Sequence, residues 1–392
     1  MDVGALAGKR IVDLTRVVAG PFCTQMLADH GAEVIKIESP QGDETRKLGP
    51  PFVDGTAAYF TGLNRNKLGL SLDLGRPEAR DALLRLLQDA DVLVENFLPG
   101  TMEKWGLAYD AVLAPRLPRL VYCRISGFGT TGPLGNLPGY DAVLQAMCGL
   151  MSVNGDERSG PTRVGVPIID LATGLSAAFG ILLALSERER SGRGQLVDCS
   201  LYDTAMSLLH PHAANWFASG VTPRLTGSAH PSISPYEKFP TASGEMFLGV
   251  VNDGQFAKLC RCIGREDLLG DPRFSRNGPR LENRAQLRKE LEKALAAEDV
   301  GPLCARLMAA GVPAGPVHSV PQALQHAHTA AREMVVEKDG YRGLGVAVKL
   351  GRTPGSVRRA PPSLGADARE VLRGAGLSDE EIRKLTGEQR RE

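Results

Sequence analysis

The chain has 392 residues, of which 46 are Lys or Arg and 45 are Asp or Glu, so its formal net charge at pH 7 is +1. This balance argues against a nucleic-acid partner, because neutralising several phosphates needs a local basic excess and the sequence has no Lys/Arg-rich block. The length predicts about two domains, each large enough to bury its own core.

The first half of the chain alternates strand and helix patterns. Short apolar runs predict strands at residues 10–14, 33–38, 69–74, 92–97 and 120–126. Amphipathic or capped patterns predict helices at 23–30 and at 78–89, and Pro77 opens the second. Such alternation is typical of βαβ units, so we expect an α/β domain with a mostly parallel, Rossmann-like sheet over residues 1–200.

An uncharged stretch, residues 171–186, contains Thr173, Gly174, Ser176 and Gly180. It is too short and too polar for a bilayer span and predicts a buried helix, so no membrane partner is expected. The amino-terminal residues lack the pattern of a secretory signal, and seven Cys without framework spacing indicate reduced thiols. We therefore expect a cytoplasmic protein.

The pattern changes after Gly220. A Gly/Ser/Pro-rich loop precedes a strand at 246–251 and helices at 255–263, 280–297 and 300–311. These elements predict a smaller α+β domain at 225–325, with linkers at 201–224 and 326–334. Residues 335–392 are then a return segment, in which a short helix at 367–372 rejoins the large domain.

The sequence contains partial patterns of a dinucleotide site and of a metal site, but neither pattern is complete. Residues 127–132 match G-x-G-x-x-G after a strand, but Pro133 and Pro138 prevent the helix that a dinucleotide site requires, so no NAD is expected. The histidines are scattered, and Cys260 and Cys262 form an isolated C-x-C pair. No metal site is therefore expected.

Asp170 follows an apolar run at 166–169 and precedes the apolar stretch. An Asp at that point is a preferred helix N-cap. The same helix N-terminus keeps a carboxylate ionised, and an ionised carboxylate can act as a covalent nucleophile. Residues 95–97 end another predicted strand, at the sheet edge where open α/β sheets bind ligands, although Asn96 is also a common turn residue.

Several segments in order resemble the family III CoA-transferases. They are AGPFCTQMLADHGAEVIKIESPQGDETR, YFTGLNRNK, ADVLVENFLPGTMEKWGL, PRLVYCRISGFGTTGPLGNLPGYDAV, the Asp170 segment and ERERSGRGQLVD. The family includes formyl-CoA transferase and the carnitine CoA-transferases, and the α-methylacyl-CoA racemases are relatives. The resemblance runs from about residue 8 to the APPSLG segment.

The resemblance implies a homodimer of two interlocked rings and an acyl-CoA:carboxylate CoA-transferase. Asp170 corresponds to the family's catalytic aspartate, which attacks the donor thioester. The mixed anhydride then becomes an aspartyl-CoA thioester, and the acceptor carboxylate reverses these steps. Coenzyme A is thus a substrate, and a small carboxylic acid is the second one.

Tyr140 separates this chain from the racemases, whose G-H-D motif places a histidine where Gly139-Tyr140-Asp141 stands here. A neutral phenol is a poor base at pH 7, whereas imidazole exchanges protons readily. This difference favours a transferase over a racemase. A racemase or isomerase is the alternative function, and a CoA-binding scaffold protein without turnover is a third possibility. In the transferases a Tyr at this position helps to place the acyl-CoA.

The resemblance also implies binding residues. For the CoA moiety they are Val18, Ala19, Leu72, Asp73, Leu74, Gly75, Asn96, Phe97, Leu98 and Lys104. For the acyl group they are Tyr140, His230, Ser232 and Tyr236, with Arg46, Arg163 or His230 as the cation for a second carboxylate.

Three departures from formyl-CoA transferase argue against formyl-CoA and oxalate as substrates. The chain has Val18 where that enzyme has a glutamine, Ser39 where it has an arginine, and Gly227 to Pro231 where it has a glycine-run loop. The GSAHPSISPY segment resembles members that use succinyl-CoA and dicarboxylic acceptors such as glutarate, itaconate or malate.

Overall fold

The structure is a computed structural model that describes residues 4–387, so the outermost residues of the predicted large domain and return segment lie outside it. The strands are β1 Arg10–Asp13, β2 Glu33–Glu38, β3 Phe52–Val53, β4 Thr56–Ala57, β5 Lys67–Ser71, β6 Val92–Glu95, β7 Val121–Ser126, β8 Gly155–Asp156, β9 Gly160–Pro161, β10 Leu196–Ser200, β11 Tyr236–Thr241, β12 Gly244–Gly249, β13 Ala314–Pro316, β14 Val335–Lys338 and β15 Tyr341–Leu344.

The helices are α1 Ala19–Asp29, α2 Ala58–Thr61, α3 Pro77–Gln88, α4 Thr101–Lys104, α5 Ala114–Arg116, α6 Asp141–Met147, α7 Leu150–Val153, α8 Ile168–Ser191, α9 Leu201–Ser207, α10 His212–Ser219, α11 Asp253–Cys262, α12 Asn277–Glu282, α13 Arg284–Leu295, α14 Val300–Ala309, α15 Val320–Gln325, α16 Ala327–Ala331, α17 Ala368–Gly374 and α18 Asp379–Thr386.

A six-stranded parallel sheet, in the order β10-β7-β6-β1-β2-β5, forms the centre of the first compact unit. The chain builds this sheet outward from β1 in two directions, so β1 and β6 flank the point at which the strand order reverses. In open α/β sheets, ligands bind outside the carboxyl ends of the strands at such a point. The predicted mixed α/β fold with a parallel sheet is confirmed.

The return segment completes the first unit, whose described residues are 4–148, 165–208 and 327–387. The predicted helix at 367–372 is α17, and it packs against β5. The Asp367 carboxylate accepts a 2.7 Å hydrogen bond from the backbone N–H of Gly69, and Leu372 is fully buried in the core. The structure therefore places this helix where the sequence pattern predicts.

The central helix of this unit is α8, which is longer than the predicted stretch and has a mean hydropathy of 2.0 over its most apolar 18 residues. By length and composition alone it matches a membrane span. One face packs against α1, β7 and β10, which accounts for part of its apolar character. The opposite face leaves four large apolar side chains between 43% and 63% exposed, namely Leu175, Phe179, Leu182 and Leu183.

The second compact unit comprises residues 149–164 and 209–326. Its antiparallel sheet has the order β11-β12-β13, and its core joins Phe239 and Leu248 to leucines of the surrounding helices. The single helix predicted at 280–297 is two helices, α12 and α13, which meet at Asn283.

The division of the chain differs from the prediction at four segments. Residues 209–224, expected in a linker, belong to the second unit, and residues 327–334, also expected in a linker, belong to the first. Residues 149–164, expected in the large domain, join the second unit, because their β8–β9 hairpin accepts a 2.9 Å hydrogen bond at the Gly155 carbonyl from the N–H of Gly227. Residues 201–208, expected in a linker, belong to the first unit, where α9 packs against α8.

Candidate active site

Two neighbouring cavities lie at the carboxyl ends of the parallel strands, within the first unit. The Asp170 cavity has a volume of about 200 Å³, and its lining includes Val18, Ala19, Asn96, Phe97, Leu98, Tyr140 and Asp170. The sheet-edge cavity has a volume of about 310 Å³, and its lining includes Leu72, Asp73, Leu74, Gly75, Phe97 and Leu98.

Phe97 and Leu98 line both cavities, which makes the two cavities neighbours across one short segment. Nearly all of the predicted CoA-binding residues thus meet around one continuous region. Lys104 is the exception, because it is an exposed residue at the end of α4 and lines neither cavity.

Asp170 is not a helix N-cap, in contrast to one of the two interpretations of the sequence. It is the third residue of α8, whose N-cap is Pro167. The Asp141 carboxylate takes the capping role, since its Oδ2 accepts hydrogen bonds from the backbone N–H groups of Ile169 at 2.8 Å and Asp170 at 3.2 Å. The Asp170 side chain is therefore not used to cap its own helix, and it borders the cavity.

The environment of Asp170 disfavours its charged form. Burial, followed by the negative charge of Asp141, raises the pKa of Asp170 to about 7 from an ordinary value of 3.8. A carboxyl group that titrates near neutral pH beside a cavity is typical of functional sites.

The turn between β1 and α1 faces Asp170 across the cavity, and its backbone is strained. Val17 has a φ of 67°, which a β-branched residue rarely adopts. Asn96 holds the turn from both sides, because its Oδ1 accepts from the N–H of Arg16 at 2.8 Å and its Nδ2 donates to the Arg16 carbonyl at 2.7 Å. Strain of this kind persists only where surrounding contacts over-determine the conformation.

A buried cluster of charged side chains supports the same turn. Lys67 Nζ lies 3.0 Å from Asp13, and Lys36 Nζ lies 3.1 Å from Asp43 and 2.8 Å from the Thr15 carbonyl. Burial alone would raise the pKa of Asp13, but the charges of Lys67 and Lys36, together with hydrogen bonds from the Thr15 and Thr24 hydroxyls, lower that pKa to about 2. Sequence reasoning missed this cluster, although two lysines inside otherwise apolar strand runs were a visible signal.

Two further residues near the cavities were not assigned a role from the sequence, although Glu95 belongs to the predicted ligand-binding segment 95–97. Burial, followed by the charges of Asp170 and Asp141, raises the pKa of Tyr59, so its phenol lies within range of both negative charges. Glu95 accepts from the Phe97 N–H at 2.8 Å and from the Tyr122 hydroxyl at 3.0 Å, and burial raises its pKa to about 7. Glu95 therefore fixes the segment that lines both cavities.

Arg46 lies elsewhere than predicted. Its guanidinium forms a bidentate ion pair with Glu38 at 2.7 and 2.8 Å, donates to the Pro362 carbonyl and stacks 3.6 Å from the ring centroid of Phe60. These contacts occupy Nε and Nη2 of the guanidinium, and Arg46 lines neither cavity. The prediction that Arg46 is a free cation for a second carboxylate has no support in the structure.

The other predicted acyl-pocket residues belong to the second unit, where they form one local cluster. His230 packs edge-to-face on Tyr236, with ring centroids 5.3 Å apart, and its Nδ1 accepts a 3.0 Å hydrogen bond from the Ser232 N–H. Burial, followed by the charges of Arg284 and His212, lowers the pKa of His230. This direction disfavours the charged imidazole, which argues against His230 as the cation.

Comparison with known proteins decides the family. The profile of CoA-transferase family III matches residues 6–368, nearly the whole chain. The chain belongs to CoA-transferase family III. A succinate–glutarate CoA-transferase of Agrobacterium fabrum is 38% identical over 94% of this chain and 94% of its own length.

Two further matches bear on substrate and fold. An acetyl-CoA:oxalate CoA-transferase of Acetobacter aceti is 40% identical over 88% of this CoA-transferase and 89% of its own length. The crystal structure of a CAIB/BAIF family protein from Brucella suis, 38% identical, superposes with a TM-score of 0.86 over 95% of this chain and 100% of that one.

Proposed function

We propose that this family III enzyme is an acyl-CoA:carboxylate CoA-transferase whose nucleophile is Asp170. The observation that carries the proposal is the half-buried Asp170 carboxyl group, which is not engaged in capping its own helix and borders a cavity at the strand-order reversal of the sheet. The neighbouring sheet-edge cavity is formed by the segments that the family resemblance assigns to the CoA moiety.

The chemistry divides one exchange into four substitutions at carbonyl carbon. The ionised Asp170 carboxylate attacks the donor thioester, which forms a mixed anhydride and releases CoA as a thiolate. The thiolate attacks the Asp170 carbonyl and expels the donor carboxylate, which leaves an aspartyl-CoA thioester. The acceptor carboxylate displaces the thiolate to form a second anhydride, and the thiolate then attacks the acceptor carbonyl and regenerates Asp170. Every bond broken is replaced by an equivalent one, so no external energy source is needed.

We propose succinyl-CoA as the donor and a dicarboxylic acid as the acceptor. The 38% identical succinate–glutarate relative supports this choice, as does the GSAHPSISPY segment that contains His230 and Ser232. The similarly close acetyl-CoA:oxalate relative weakens the argument against oxalate, so oxalate should be tested as an acceptor beside glutarate.

The assembly and location are part of the same proposal. An interlocked homodimer would cover the exposed apolar face of α8, and the family resemblance supports it. All seven cysteines lie in the described part of the chain as free thiols, which supports a reducing, cytoplasmic location. The near-zero net charge supports a small-molecule partner rather than nucleic acid.

Purified enzyme with succinyl-CoA and glutarate tests the proposal. We expect glutaryl-CoA to form by mass spectrometry, and Asp170→Asn to lower the rate on the order of 10³-fold or more. Incubation of one acyl-CoA in deuterated water without any acid tests the racemase alternative, for which solvent deuterium would enter the α-carbon. Deuterium uptake without CoA transfer would contradict the proposal.

A further inference from the structure

The first turn of α8 is held by a side chain from another helix. The N–H groups of Ile168 and Leu171 bond to the nearby carbonyls of Val166 and Pro167. The two N–H groups between them, those of Ile169 and Asp170, both donate to Asp141 Oδ2. Asp141 thus satisfies the pair of helix donors closest to the nucleophile.

Asp141 is itself fixed in place. It is 7% exposed, and its Oδ1 accepts a 2.6 Å hydrogen bond from Nε2 of the fully buried Gln145, one turn later on α6. Each of its three described hydrogen bonds points a donor at a carboxylate oxygen, which is the pattern of an anion. Tyr140 is the N-cap of the same helix, so Asp141 also joins the Tyr140 backbone to the backbone of Asp170.

Five titratable groups in the described part of the first unit border the Asp170 cavity or interact electrostatically with Asp170. They are Asp141 and Tyr140 at the start of α6, Tyr59 on α2, and Arg16 and Glu44 on the cavity wall. Of these, Asp141 is the group whose charge contributes to the raised pKa of Asp170, after the larger effect of burial.

We propose that Asp141 is a positioning residue for the nucleophile, whose carboxylate holds the first turn of α8 and whose charge sets the pH range over which Asp170 attacks the thioester. The inference rests on the proposed function, because it concerns the same nucleophile. A purely structural cap would hold the helix without affecting that pH range.

Two substitutions separate the hydrogen bonds from the charge. Asp141→Asn keeps an acceptor for the two backbone N–H groups but removes the negative charge. Asp141→Ala removes both. The matched control is Asp81→Asn, which neutralises an exposed carboxylate on α3 in the same unit.

The readout is the first half-reaction, in which succinyl-CoA without an acceptor forms the aspartyl-CoA thioester, followed by quenched-flow mass spectrometry between pH 5 and 9. For Asp141→Asn we expect the acidic limb of the pH–rate profile to move down by about half to one pH unit. Asp141→Ala is expected to show the same shift and to lower the plateau rate by about tenfold or more. Asp81→Asn is expected to match wild type.

The outcomes separate the two proposals. If wild-type enzyme forms no aspartyl-CoA, the proposed function itself fails. If wild type forms it and the acidic limb of Asp141→Asn stays in place, the role assigned to Asp141 is wrong. Should Asp141→Ala fail to fold, as judged by circular dichroism, the Asp141→Asn profile alone still decides the question.

Discussion

At the scale of single residues, the site is a carboxyl group kept in an unfavourable environment. Asp170 is half-buried beside a second carboxylate, and desolvation together with that negative charge raises its pKa to about 7. Keeping an acidic group in such an environment lowers the stability of the fold, which is a common cost at functional sites. The sequence pattern located Asp170 but could not distinguish a cap from a nucleophile, because the deciding residue, Asp141, is remote in sequence and is brought close only by the fold.

The pH dependence of stability tests this environment. Folding raises the pKa of Asp170 from about 3.8 to about 7, so the native state gains stability from protonated Asp170 below pH 4 and loses that gain as the pH rises through 7. We expect Asp170→Asn to melt at least about 3 °C above wild type at pH 8, and the difference to shrink towards pH 4. Differential scanning calorimetry measures it.

The exposed carboxylate variant Asp81→Asn serves as the control and should follow wild type at every pH. A difference between Asp170→Asn and wild type that stays constant from pH 4 to 8 would contradict the shifted titration.

At the scale of elements, the close approach of α1 and α8 brings the β1–α1 turn to the nucleophile. Gly174 permits it, since a Cβ there would lie 2.6 Å from the Ala19 carbonyl oxygen and 3.1 Å from the Phe22 ring. The sequence predicts both helices but not their contact, because periodicity identifies a buried face without identifying its partner.

Substitution of Gly174 tests that contact. In an exposed helix Gly→Ala would stabilise by about 1 kcal/mol, but here the methyl group meets backbone. We expect Gly174→Ala to lower the free energy of unfolding by about 1–3 kcal/mol, measured by urea titration, and to slow CoA transfer. Ser176→Ala, at an exposed position of the same helix, should be near neutral. A Gly174→Ala protein more stable than wild type would refute the close packing.

At the scale of the whole molecule, one face of α8 carries large apolar side chains that the first unit leaves exposed. An exposed apolar patch of this kind is typical of an interaction surface. The sequence pattern predicts that α8 is a buried helix, and the structure confirms burial for one face only. Interlocking of two chains leaves no periodic signal in either of them. The interlocked dimer that we propose therefore rests on the family resemblance.

Sedimentation equilibrium tests the proposed dimer. One chain has a mass of 41.8 kDa, and we expect a species of twice that mass at micromolar concentration. Phe179→Glu should disrupt it, because a charge on the covered face of α8 would be buried without a partner. Leu48→Glu, at a comparably exposed apolar position outside α8, should not. A monomeric wild-type enzyme with full activity would contradict the proposal.

Covalent capture of the intermediate tests the central claim, that Asp170 is the nucleophile, most directly. Enzyme incubated with succinyl-CoA and no acceptor is digested at low pH, and the peptides are sequenced by mass spectrometry. We predict that CoA is attached to the peptide that contains Asp170, at that residue, and that hydroxylamine replaces it with a hydroxamate. Transfer activity with CoA attached to another residue, or to none, would contradict the account.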